Sequence, residues 1–143
     1  MKAINKLVLT LSLTALAGCV TPPTWTNRGH EIVEISGRGM ITCYTDANII
    51  DGERMEGALC ATPASGFLSD GEPEILFGPY GRRFIRMLAS ESTVGAEREW
   101  HGTRFFVQCE PIESVNSRSV PDRKCSVKAN GQHLMSATFV FKG

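Results

Sequence analysis

Apolar and polar positions alternate with a period of two through much of the C-terminal half of this 143-residue chain, and that period predicts strands. Thr103 to Glu110, TRFFVQCE, places three bulky β-formers in a row ahead of Cys109. Lys124 to Ala129 and Gln132 to Phe141 flank Asn130-Gly131, the dipeptide best suited to a type I′ hairpin because both central residues need positive φ. In the last segment His133, Met135, Ala137, Phe139 and Phe141 alternate with Leu134, Ser136, Thr138 and Val140. The first set is the more apolar, while Leu134 and Val140 predict burial on both sides, as in an internal strand of an antiparallel sheet.

Upstream the same signal is shorter. Glu31 to Ser36, EIVEIS, and Met40 to Thr45, MITCYT, read as strands, the second with Cys43 facing inward beside Ile41. Asp46 to Arg54 is expected to be a loop around Asp51-Gly52, after which Met55 to Ala61 brings Cys60 back toward Cys43. Glycines and prolines punctuate the chain from Pro63 to Gly81 and leave room for one short strand, Glu74 to Phe77. RRFIRML then gives a helical period, with Phe84, Ile85 and Leu88 on one side and Arg82, Arg83 and Arg86 on the other. It predicts a short helix over 82–90. Pro111 to Asp122 reads as a polar loop.

The N-terminus has a different pattern. Lys2 and Lys6 precede a nearly uninterrupted apolar run, Leu7 to Leu16, that is about half the length a membrane-spanning helix needs. It closes on Leu16-Ala17-Gly18-Cys19. A charged start, a short apolar stretch and small residues mark a targeting segment rather than part of the fold. An ordinary secretory signal competes, but it does not call for a cysteine directly after the small residues. The segment resembles the signal peptide of bacterial lipoproteins, whose lipobox ends in the cysteine that is lipidated. The resemblance covers this segment alone. It implies removal of residues 1–18, a diacylglycerol thioether on Cys19 and acylation of the freed amine, with palmitate the expected chain. Val20 stands where many such proteins carry an Asp that retains them in the inner membrane. The implied place is therefore the outer membrane, with the periplasmic face expected and surface exposure left open. Pro22 and Pro23 mark 19–29 as the lipidated N-terminus and tether, with one globular domain over 30–143. Trp25 within the tether has two readings, a headgroup-level anchor or a residue packed on the domain.

Cysteine usage fits that compartment. With Cys19 taken by lipid, Cys43, Cys60, Cys109 and Cys125 form an even set, and three connectivities are open. Pairing Cys43 with Cys60 and Cys109 with Cys125 closes two similar loops, each worth about 3 kcal/mol in the chain-entropy model. No close Cys pair suggests zinc. The expected fold is mainly β, an antiparallel sandwich or partly open barrel with two disulfides and one short helix, α+β being the alternative.

Charge narrows the partners. The precursor carries 15 basic and 15 acidic residues, and losing Lys2 and Lys6 leaves a slight acidic excess, which argues against nucleic acid. Glu99 and His101, two apart, would share a face on a strand, but no nucleophile motif or metal-binding pattern accompanies them. His30 and His133 lie on other segments. Asp46, Asn48 and Asp51 fail the calcium-loop spacing at its fifth, sixth and twelfth positions. The reading therefore includes no enzyme activity, metal or cofactor. Arg82, Arg83 and Arg86 form the one basic cluster, a candidate contact for an anionic partner. The expected role is an outer-membrane lipoprotein that is structural or binds an envelope protein or peptidoglycan. The alternative is a periplasmic inhibitor of lysozyme or proteases.

Overall fold

The computed structural model describes residues 24–36, 40–63, 71–113 and 121–142. The lipobox, with Cys19, lies outside the described residues, as do Gly37 to Gly39 and parts of the loops expected after Pro63 and after Pro111. The fold is mainly β, two sheets packed on one another without closing into a barrel. Strands β1 (Glu31–Ser36), β6 (Ala96–Trp100), β7 (Thr103–Ile112), β8 (Asp122–Ala129) and β9 (Gln132–Lys142) form one sheet in the order β1-β9-β8-β7-β6. Strands β2 (Thr42–Ile50), β3 (Glu53–Ala61), β4 (Glu74–Pro79) and β5 (Ile85–Leu88) form the other in sequence order. All pairings are antiparallel except β1 with β9, which run parallel.

One core fills the space between the sheets. Tyr44, Leu59, Phe77 and Ile85 of the four-stranded sheet meet Val33, Ile35, Phe105, Val107, Val127, Met135 and Phe139 of the five-stranded sheet there, and Phe77 and Phe105 lie 5.4 Å apart in a tilted pair. Burying a large apolar side chain contributes roughly 1.5–3 kcal/mol. In β9 the alternation is interrupted by a bulge, with Val127 opposite Met135 but Lys128 opposite His133. The extra residue is Leu134, which therefore turns into the core beside Met135. Its apolarity reflects that bulge and not burial of both faces.

Three expectations change. The segment 82–90 is not a helix: Arg82 to Phe84 are a connection, and β5 alternates Ile85 and Met87 inward with Arg86 and Leu88 outward. Once the first three residues are excluded, the period is two, and the open edge of β4 supplies backbone partners that two helical turns would lack. Residues 91–93 form a single 3-10 turn. The loop expected over 46–54 is instead a continuous ladder in which Asp51 and Gly52 alone make the turn. Inside β2 the inward residue is Tyr44, and Cys43 is exposed on the outer side.

Both disulfides join residues directly opposite in register. Cys43 with Cys60 and Cys109 with Cys125 each have Cα atoms 4.0 Å apart. They differ in setting. Cys109 and Cys125 sit in the main core, whereas Cys60 joins Ala58, Leu76 and Ile41 in a small cluster on the outward face of the four-stranded sheet.

Candidate functional site

The hairpins divide the molecule into two unlike ends. One end carries the turns Asp51-Gly52, Tyr80-Gly81, His101-Gly102 and Asn130-Gly131. In each pair both residues have positive φ, between 48° and 51° for the first and between 76° and 83° for the glycine. Asp51 and Asn130 are natural occupants of such a turn, but Tyr80 and His101 are bulky residues held where glycine or asparagine is ordinarily found. The opposite end carries both disulfides.

Two of the turns are tied together across the sheets. The Asp51 carboxylate accepts hydrogen bonds from Asn130 Nδ2 at 2.7 Å and Gln132 Nε2 at 2.5 Å, and both hold it below the usual carboxyl range, Asn130 the more. The Asn130 side chain in turn accepts the backbone N–H of Arg104 at 2.9 Å. The Asp51 and Asp46 oxygens that invited a calcium reading are thus engaged by protein donors. The buried Asp46 carboxylate accepts the N–H groups of Arg28 at 2.9 Å and Ala47 at 2.8 Å.

The chain enters the domain at this same end. Residues 24–29, part of the segment read as tether, lie against β2. Asn27 N–H donates to the Ala47 carbonyl at 2.6 Å, and Tyr44 donates its hydroxyl to the Gly29 carbonyl at 2.6 Å. Trp25 packs on the domain, with the guanidinium groups of Arg54 and Arg28 at 4.7 and 5.2 Å from its ring centroid. Arg54 Nε also donates to the Trp25 carbonyl at 3.0 Å. From there contacts continue through Arg54. Tyr80 donates its hydroxyl to the Arg54 carbonyl at 3.2 Å, its ring lies 6.5 Å from Trp100, and Trp100 lies 4.1 Å from the His101 ring. Both tryptophans of the chain and one of its two tyrosines therefore form a row joined through Arg54, with Trp100 half-buried against the core. Exposed Ile49, opposite Arg54 in register, borders it.

The predicted basic cluster is split by the strand assignment. Arg86 projects outward from β5 and is neutralised by Glu74 at 2.5 Å, which also raises its pKa. Arg82 and Arg83 belong to the connection after Tyr80-Gly81, are exposed, and make no ion pair with a described residue. Their position is fixed by the backbone. A side chain at Gly78 would place its first carbon 0.7 Å from the Arg82 carbonyl oxygen, so only glycine allows the connection to cross the sheet there.

Glu99 and His101 do not come together as a strand pair, because β6 ends at Trp100 and His101 lies in the turn. Glu99 instead lines a half-open concavity of about 490 Å³ with Glu97, Arg104, Phe106 and Lys128, where Glu97 and Arg104 form an ion pair at 3.4 Å. Among the described residues no group of three or more His, Cys, Asp or Glu is placed to hold a metal.

Sequence reasoning left His30 without a role. Its Nδ1 lies 2.8 Å from Ser136 Oγ and its Nε2 2.6 Å from Thr138 Oγ1, so the ring spans two hydroxyls on the outward face of β9. Desolvation first, then the charge of Lys124, lowers its pKa, which favours a neutral ring that donates from one nitrogen and accepts at the other. The signal was the Ser136-x-Thr138 spacing, two hydroxyls on one strand face. A serine beside an imidazole is the start of a nucleophile and base pair, yet the second nitrogen is occupied by a hydroxyl rather than a carboxylate. The ring braces β1 against β9. Comparison with family models, with curated proteins and with solved structures finds no match.

Proposed function

We propose that this chain is a non-enzymatic outer-membrane lipoprotein, attached through acyl chains on Cys19, that contributes to envelope structure or binds an envelope macromolecule. The sequence Leu16-Ala17-Gly18-Cys19 after a short apolar run carries this reading. Two or more acyl chains give stable attachment where one gives marginal binding. Two cross-strand disulfides accord with an oxidising compartment. The face-to-face sheets, with polar groups bonded to one another, suit a rigid spacer or docking module better than a catalyst.

Metabolic labelling with radioactive palmitate tests the anchor. Label on the native protein, fractionating with outer membrane, is expected, and Cys19→Ser is expected to abolish both label and membrane retention. Unlabelled protein that fractionates as a soluble species would sink the reading. Cross-linking in intact cells then separates an envelope partner from a hydrolase, and unchanged lysozyme and protease rates with purified protein are expected.

A further inference from the structure

The end at which the chain enters the domain brings aromatic and basic side chains together. It gathers Trp25, Tyr80 and Trp100 in one row and presents Arg82 and Arg83 beside it without carboxylate partners among the described residues. We propose that this turn-bearing end rests on the lipid headgroups, its aromatic rings at the polar–apolar boundary and Arg82 and Arg83 against anionic phosphates. The inference rests on the lipid anchoring proposed above and specifies which face of the domain that anchor presents.

Three observations converge on a lipid surface as the occupant. The first is reach. Cys19 and Trp25 are six positions apart, so the intervening chain spans at most about 20 Å. Trp25 is already fixed to the domain by Arg54 and Arg28 near the turn-bearing end, whereas Cys60 lies six residues further along β3 from Arg54, about 20 Å away. With acyl chains inserted at Cys19, the turn-bearing end is therefore the nearer of the two to the membrane. The second is composition. Tryptophan and tyrosine favour the interface because an apolar ring and a polar tip are satisfied there together, and arginine on the same surface complements phosphate. The third is backbone strain. Tyr80 and His101 hold positive φ in turns that asparagine would occupy at less cost, which places two rings at the tip of this end.

The test uses the full lipidated protein in vesicles of phosphatidylethanolamine and phosphatidylglycerol, with a fraction of lipid brominated near the headgroup end of its acyl chains. Mass spectrometry first establishes whether Cys19 is acylated. An unmodified Cys19 overturns the anchoring reading, and with it the basis for this one. With Cys19 acylated, Trp25 and Trp100 emission is expected to be quenched by roughly 40 %. A tryptophan at the other end is the contrast: Val94→Trp in a Trp25→Phe/Trp100→Phe background is expected to remain unquenched. Acylated protein whose native tryptophans emit undiminished, or whose Val94→Trp emission is the more quenched, overturns the orientation while leaving the anchor intact. Arg82→Ser with Arg83→Ser should cut the native quenching by roughly half at low salt, and unchanged quenching would overturn the part assigned to those two side chains.

Discussion

At the scale of single residues, the structure shows how much depends on partners that are distant in sequence. His30 is exposed, yet its ring is engaged on both nitrogens by Ser136 and Thr138, more than one hundred positions away. Because its pKa is lowered from the ordinary 6.5 in the folded state, the unfolded chain binds the proton more readily. The stability this ring contributes is therefore fully present above about 6.5 and is lost as pH falls from there through the folded value. Urea midpoints measured from about pH 7.5 to 5.5 should fall more steeply for the native protein than for His30→Gln, which keeps a donor and an acceptor without the titration. Parallel slopes would remove the brace from the account. The same dependence on distance limited what could be read beforehand. Arg82, Arg83 and Arg86 stand out as a cluster in the sequence, but Glu74, which neutralises Arg86, is twelve residues away and reachable only after β4 and β5 pair.

At the scale of elements, alternation and turn chemistry were legible where they were local. EIVEIS, EILF and TRFFVQCE fold as the strands their β-branched and aromatic residues predict, and Asn130-Gly131 makes its hairpin with φ of 49° and 76°. The second half of β2 was illegible because Asp46 and Asn48 look like loop residues. Asp46 is tolerated at 1 % exposure because its carboxylate accepts the N–H groups of Arg28, from the N-terminal segment, and of Ala47. β6 carries exposed polar residues on an edge and shows no apolar period at all. The two disulfides, closing loops of 17 and 16 residues, are each worth about 3 kcal/mol but differ in access. Cys43 is exposed, whereas Cys109 and Cys125 are 0 % and 1 % exposed. Under mild reductant without denaturant, alkylation mapped by mass spectrometry should label Cys43 and Cys60 well before Cys109 and Cys125. The reverse order would show that the core opens more readily than the outer face.

At the scale of the whole molecule, the aromatic row could not be found from the sequence, since its members come from the N-terminal segment, β3, the β4–β5 connection and the end of β6. Only the packing of one sheet on the other aligns them. One further consequence comes from the parallel pairing of β1 with β9, which sets Glu31 beside Ala137 and Ser36 beside Lys142. Removing Gln132 to Gly143 is expected to abolish the cooperative thermal transition seen by circular dichroism, and a retained sharp transition would show that the other strands suffice. Contacts of such long sequence separation form late and slowly, because most of the chain must be gathered before they repay its lost freedom. The first strand therefore has no place in a sheet until the last one arrives. A chain built this way can complete its five-stranded sheet only when β9 is available to stand between β1 and β8, so the two halves of that sheet are joined by one late arrival.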